Sequence, residues 1–199
     1  MGLPLQHMTA EAFLAWEATQ TERHEYFQGD IFAMAGSNER HNQVALNLYA
    51  AMRPHLRGGP CRAHLSDIKV DVAEADAYFY PDLVVICEDR PAGTASIVTA
   101  PLLIVEVLSP STGGYDKTRK FEQYRLLGSL REYVLVDPGS RLVEVYTRVD
   151  DTAEWHLKDV RAVGTVRLTS IDLTIPMDEV FYDTVPDPEK AARLQRVAR

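Results

Sequence analysis

Asp82 and Glu106 are the two residues whose setting demands a chemical explanation. Each is the single acid associated with an otherwise apolar run, Tyr80-Pro81-Asp82-Leu83-Val84-Val85-Ile86-Cys87 and Pro101-Leu102-Leu103-Ile104-Val105-Glu106-Val107-Leu108. A carboxylate inside such a run costs several kcal/mol unless a cation or a set of hydrogen bonds compensates it. Two acids on neighbouring strands, followed by a helix carrying Lys117 and Lys120, suggest a metal site. Hard oxygen ligands suit Mg²⁺, with Mn²⁺ able to substitute, because these ions prefer carboxylates, carbonyls and water to nitrogen or sulfur. Asp82, Glu106, the backbone carbonyl of Val107 and a nearby lysine can together supply what phosphodiester hydrolysis needs: a metal seat and a positive group beside developing charge. The plain alternative is that Asp82 caps the turn after Pro81 and Glu106 pairs structurally with a lysine.

Elements of definite type must hold these residues. Unbroken Val/Ile/Leu runs suit strands covered on both faces, near the middle of a sheet backed by helices. The spacing predicts a helix from Thr9 to Thr19 with Thr9 as N-cap, and a hairpin from Glu25 to Phe32 turning at Gly29. A second helix runs from Asn38 to Leu56, with Val44, Leu48 and Met52 on one face, and Gly58-Gly59-Pro60 ends it. Asp67 to Val72 alternates as a half-exposed strand. Glu74 to Tyr78 reads as a turn, Tyr80 to Cys87 as the first central strand, Glu88 to Ala100 as a loop, and Pro101 to Ser109 as the second central strand. A polar helix from Asp116 to Leu127 then closes at Gly128, and Glu132 to Val136 is a third central strand. Further strands are expected at Leu142–Val149, Glu154–Val160 and Val166–Ile175, with a short helix at Pro176–Phe181. Residues 1–185 make one domain, and residues 186–199 a basic tail or helix.

Bulk properties narrow the class. At 199 residues the chain is long enough for a substantial core. A net charge of −8 argues against a general, non-specific nucleic-acid binder, although Lys117, Arg119, Lys120, Arg125 and Arg131 form a local basic stretch. No apolar run is long enough to span a membrane, and the N-terminus lacks the layout of a signal peptide. The expected location is the cytoplasm. Cys61 and Cys87 lie in unrelated contexts, and Cys87 reads as a small core residue. The histidines show no i, i+4 pairing, so a structural zinc site is not expected. Ser109, Ser111 and Thr112 have no identifiable histidine to activate them, which removes a serine-hydrolase reading.

Four ordered blocks carry a resemblance: Tyr-Pro-Asp-Leu-Val-Val (80–85), Val-Glu-Val-Leu-Ser-Pro-Ser-Thr (105–112), Tyr-Asp-Lys-Thr-Arg-Lys-Phe-Glu-Gln-Tyr (115–124) and Glu-Tyr-Val-Leu-Val-Asp-Pro (132–138). Together they resemble the Uma-two family of restriction endonucleases, placed in the PD-(D/E)XK nuclease superfamily, and the similarity extends from about Met8 to Val180. The resemblance implies an α/β (α+β), restriction-endonuclease-like α-β-β-β-α-β core with a central mixed sheet flanked by helices, plus N-terminal and C-terminal hairpins. It also implies a Mg²⁺-dependent DNA endonuclease. Asp82 matches the motif aspartate and Glu106 the motif glutamate. The superfamily's lysine would fall at Leu108, so the resemblance moves that role to the following helix, to Lys120, with Lys117 and Tyr124 as neighbours. Glu25 is a candidate extra acid or a solvated hairpin residue. His41 is a candidate phosphate or water contact or a surface histidine. Asp67 is a candidate outer residue tuning the site. Cutting both strands of a duplex favours a homodimer, with Tyr146, Trp155 and Tyr182 available for its interface. The alternative is a nuclease fold kept as a non-catalytic binding or dimerisation module.

Overall fold

Where Val, Ile and Leu run without a break, the backbone is extended and sandwiched, and the rest of the molecule is arranged around that layer. The computed structural model describes residues 5–34, 36, 38–88, 93–109, 116–150 and 152–189, with the side chains at 116 and 117 outside that description. In chain order the elements begin with α1 (Ala10–Glu17), β1 (His24–Phe27), β2 (Asp30–Ala33), α2 (Glu39–His55), β3 (Cys61–Leu65), β4 (Lys69–Val72) and β5 (Ala77–Phe79). Then come β6 (Leu83–Cys87), β7 (Ile97–Val98) and β8 (Pro101–Val107), followed by a wide π-type turn (Asp116–Lys120) leading into α3 (Phe121–Tyr124). The chain continues with β9 (Glu132–Asp137), β10 (Leu142–Arg148), β11 (Trp155–Arg161), β12 (Thr165–Leu168), β13 (Leu173–Pro176) and α4 (Met177–Val180).

The central sheet has the order β11-β10-β9-β8-β6-β3. Among the described residues its one parallel pair is β8 with β9, joined through α3; the other neighbours are antiparallel. Taken as α2-β3-β6-β8-α3-β9, this is the α-β-β-β-α-β order of a restriction-endonuclease-like fold, α+β with a mixed sheet. Side chains alternate across it. Leu83, Val85, Leu103, Val105 and Val107 pack on Val44, Leu48 and Met52 of α2. Val84, Ile86, Ile104 and Leu135 take the other side with Tyr124, Leu127 and Phe79. A second sheet, β2-β1-β5-β4-β7, contributes Val70, Val72, Ala77 and Phe79 to that latter core. The β1–β2 turn places Gln28 and Gly29 at φ 50° and 94°, the left-handed pair that a two-residue hairpin requires.

Several boundaries differ from expectation. Ala77–Phe79 is a strand rather than part of a turn, because the reversal is confined to Ala73–Asp76, ending with Asp76 at φ 49°. The strand after Pro81 begins at Leu83, so Tyr80, Pro81 and Asp82 stand before it. Ile97 and Val98 pair with β4 inside what reads as a loop, and α3 ends at Tyr124 with Arg125 as its cap instead of reaching Gly128. Cys61–Leu65 forms a strand that its mixed composition hides. Cys87 is no core residue: it is exposed, stands opposite Cys61 across β3 and β6, and is joined to it by a disulfide. Tyr146 and Trp155 are engaged within the chain, tilted and edge-on against Phe121 at 4.5 and 5.3 Å between ring centres, which leaves Tyr182, 67% exposed, of the three aromatics assigned to an interface. Most of the expected tail, 190–199, lies outside the described residues, as do Ser111 and Thr112. Among the described residues no helix is long and apolar enough to cross a membrane.

Candidate active site

Glu106 sits near the C-terminal end of β8, on the face turned toward α3 and away from α2. It is 3% exposed. Two groups from the segment after β8 meet the same carboxylate oxygen: Lys120 Nζ donates to Oε1 at 3.2 Å, and Tyr124 Oη donates to it at 3.3 Å. Lys120 and Tyr124 are four residues apart, so one helical repeat aims both at β8. Lys120 is itself only 5% exposed. Its ammonium also pairs with Glu25 Oε1 of β1 at 2.7 Å and stands 5.8 Å from the centre of the Phe79 ring. Glu25 in turn accepts the backbone N–H of Tyr80 at 3.1 Å. The hairpin glutamate is therefore buried, not solvated. Two carboxylates from different sheets face one ammonium, in surroundings where unpaired charge is expensive.

Asp82 lies beside this cluster. Extending the β6–β8 register by one step from Leu83 opposite Val105 sets Asp82 across from Glu106. Its Oδ2 accepts the backbone N–H of Val107 at 2.7 Å and lies 3.2 Å from His41 Nε2. His41 is placed by the start of α2, where the Asn38 side chain caps the helix by accepting the His41 N–H at 3.0 Å. With side-chain exposures of 14% and 17%, His41 and Asp82 are more accessible than Glu106. A small recess opens beside His41, lined in part by Asn38, Arg40, His41 and Leu108. Leu108 thus borders the recess without offering charge.

Of the sequence candidates, then, Glu25, Glu106, Lys120 and Tyr124 form one contact group, while Asp82 and His41 form a second joined to it through the Val107 amide. Asp67 is at the surface, 71% exposed, and pairs with Arg23. The Lys117 side chain lies outside the described residues. Sequence reading missed an adjoining network altogether. Tyr80 Oη donates to Glu17 Oε1 at 3.0 Å and receives a hydrogen bond from Lys69 Nζ at 3.1 Å. Glu17 also accepts the backbone N–H and lies 3.0 Å from Nδ1 of His24. Burial, followed by the negative charge of Glu17, pushes the Tyr80 phenol well above its ordinary range. Burial also lowers the Lys69 ammonium. The one available sequence signal was Glu17, an acid on the otherwise apolar side of α1.

The donor chemistry can be tested against a magnesium ion. Mg²⁺ is held through one or two carboxylates and keeps water or substrate phosphate for its remaining positions. Among the described residues no group of three or more His, Cys, Asp or Glu side chains forms a ready-made metal cage. Asp82 and Glu106, flanking the Val107 peptide, fit the sparser arrangement.

Comparison with known proteins agrees with this architecture. Residues 10–178 match the model of a family, Uma2, described as "Putative restriction endonuclease". A protein of Synechocystis sp. carrying the description uncharacterized is 35% identical over 178 residues, covering 89% of this chain and 93% of its own. A second uncharacterized Synechocystis protein is 37% identical over 155 residues, covering 77% and 87%. A crystal structure from Anabaena variabilis, described as "a putative nuclease", superposes with a TM-score of 0.72 at 20% identity, covering 87% of this chain and 97% of that one. At that identity the last likeness speaks to the fold.

Proposed function

The chain belongs to the Uma2 (Uma-two) family, described as "Putative restriction endonuclease", and from that premise we propose that it is a divalent-metal-dependent endonuclease hydrolysing phosphodiester bonds in DNA. The observation supporting this reading is the meeting of Lys120 with Glu106 of β8 and Glu25 of β1, next to Asp82. Asp82, Glu106 and the Val107 carbonyl would hold Mg²⁺ or Mn²⁺. When bound, the metal polarises the phosphoryl group and lowers the pKa of a bound water.

The chain's own residues have separate roles. Lys120 is the catalytic lysine in this reading, a fixed positive charge that offsets charge developing on the phosphate. Tyr124 holds Glu106 in one orientation through Oε1. His41 and the Val107 amide hold Asp82 by the same oxygen, Oδ2. Glu25 keeps Lys120 beside β8 and is itself fixed by the Tyr80 amide. Two copies acting as a homodimer would present two such centres to the two strands of a duplex. Light scattering checks that part, and a monomer at micromolar concentration contradicts it.

A second reading has one observation in its favour. Glu106 is 3% exposed and hydrogen-bonded to Lys120 and Tyr124, as it would be in a nuclease fold retained for binding alone. Incubation of wild type and Glu106→Gln with duplex and single-stranded DNA in Mg²⁺ or Mn²⁺ separates the two. Cleavage by wild type, absent in Glu106→Gln, supports the enzyme. DNA binding without cleavage in either metal supports the module.

A further inference from the structure

Two cations are held over one aromatic ring immediately upstream of the motif aspartate. Lys69 Nζ lies 5.2 Å and the Arg23 guanidinium 5.9 Å from the centre of the Tyr80 ring, two residues before Asp82. Lys69 starts β4, and Arg23 precedes β1, two strands of the second sheet separated by β5. The intervening segment is tied to the candidate site directly, because Ser66 donates its backbone N–H to the Asp82 carbonyl at 3.1 Å. Both cations therefore flank the segment that leads into Asp82.

Among the described residues neither cation is held in a buried ion pair. Lys69 donates to a neutral phenol, and the carboxylate behind that phenol, Glu17, already accepts from His24 and Tyr80. Arg23 pairs with Asp67, but the side chains are 46% and 71% exposed, and exposed pairs of this kind are worth little and exchange readily. Burial and the proximity of Arg23 both depress the Lys69 ammonium, against the opposing pull of Glu17. An additional anion would relieve that tension.

We propose that Lys69 and Arg23 form a phosphate clamp for the nucleic-acid strand next to the one being cut, with Asp67 occupying Arg23 until the phosphate arrives. The proposal rests on the nuclease reading and adds a substrate-positioning site to it. Cations held beside a ring suit this role, because the ring attracts both without taking up all of their N–H donors. Asp67 then acts as a stand-in for the phosphate, so its removal strengthens binding.

The test is equilibrium binding of a fluorescent DNA duplex by anisotropy over a salt series, with EDTA present to prevent cleavage. Each phosphate neutralised contributes about 0.9 to the slope of log K against log salt. Lys69→Gln and Arg23→Gln should each lower the slope by about one, Lys69→Arg should retain it, and Asp67→Asn should tighten binding at low salt. Unchanged slopes in Lys69→Gln and Arg23→Gln, with wild type binding normally, overturn the clamp and leave the nuclease reading standing. No binding by wild type to duplex or single-stranded DNA in EDTA overturns the clamp, while the nuclease reading stands or falls on cleavage with metal present. Retention by Lys69→Arg shows that the charge is what matters, independent of any folding defect in Lys69→Gln.

Discussion

Lys120 decides between two effects that pull apart on mutation. Its ammonium lies between the buried carboxylates of Glu25 and Glu106, so truncation strands two negative charges. Removing one partner of a buried pair costs about 3–5 kcal/mol. Lys120→Ala should therefore lower the urea midpoint substantially, as well as reduce cleavage by on the order of 10²–10³. Glu106→Gln keeps the shape and removes a charge, so its midpoint should move far less while cleavage disappears. Equal midpoints for Lys120→Ala and wild type would show that the pair contributes nothing to stability. The pairing of Lys120 with Glu106 was foreseeable, since an acid in an apolar strand needs a cation and the next helix supplies lysines. Glu25 was harder to place, because nothing local distinguishes a hairpin glutamate that faces a second sheet from one that faces water. The Glu17–Tyr80–Lys69 network left only one trace in the sequence, the acid Glu17 on the apolar side of α1, because Glu17 lies 63 residues from Tyr80 and meets it only in the folded chain.

Elements are joined by contacts that their own sequences do not announce. The Cys61–Cys87 disulfide ties the edge strand β3 to β6 at the end opposite Asp82, while Ser66 ties the other end of β3 to the Asp82 carbonyl. A bond closing a sequence separation of 26 typically stabilises by about 2–4 kcal/mol. The Cys61→Ala/Cys87→Ala double variant should show that loss in urea titration, and dithiothreitol should destabilise wild type but not the variant. The run Cys-Arg-Ala-His-Leu has neither clear alternation nor an apolar block, so β3 escaped notice and with it the pairing of its cysteine. Tyr80 supplies a second test at this scale. Its phenol titrates above the ordinary tyrosine range because burial and Glu17 oppose the phenolate. A raised folded-state pKa stabilises fully below the unfolded value, about 10, and that stability is lost as pH rises toward the folded value. The stability advantage of wild type over Tyr80→Phe should therefore shrink as pH is raised above about 10. An advantage that grows with pH would contradict the assigned environment.

At the scale of the whole molecule, two sheets and the segment after β8 converge on one polar cluster inside an acidic protein. The net charge of −8 makes tight non-specific DNA binding unfavourable, and on the proposed reading substrate contact is concentrated where cations gather, at Lys120 and at the Arg23–Lys69 pair. The three central strands β6, β8 and β9 were legible because unbroken apolar runs require cover on both faces, whereas the mixed sheet was expected only from the family resemblance and its edge strand β3 was missed. Of the second sheet, the β1–β2 hairpin and β4 were legible from turn chemistry and alternation, but β5 and β7 were not, since runs of three and two residues are too short to show a period. The measurement that bears most directly on the proposed activity is cleavage of plasmid and linear duplex DNA by the purified protein in Mg²⁺ or Mn²⁺, with EDTA and Glu106→Gln as controls. Metal-dependent cleavage by wild type, abolished by EDTA and by Glu106→Gln, is the expected result. Cleavage that persists in Glu106→Gln, or a wild type that binds DNA yet cuts nothing in either metal, would contradict it.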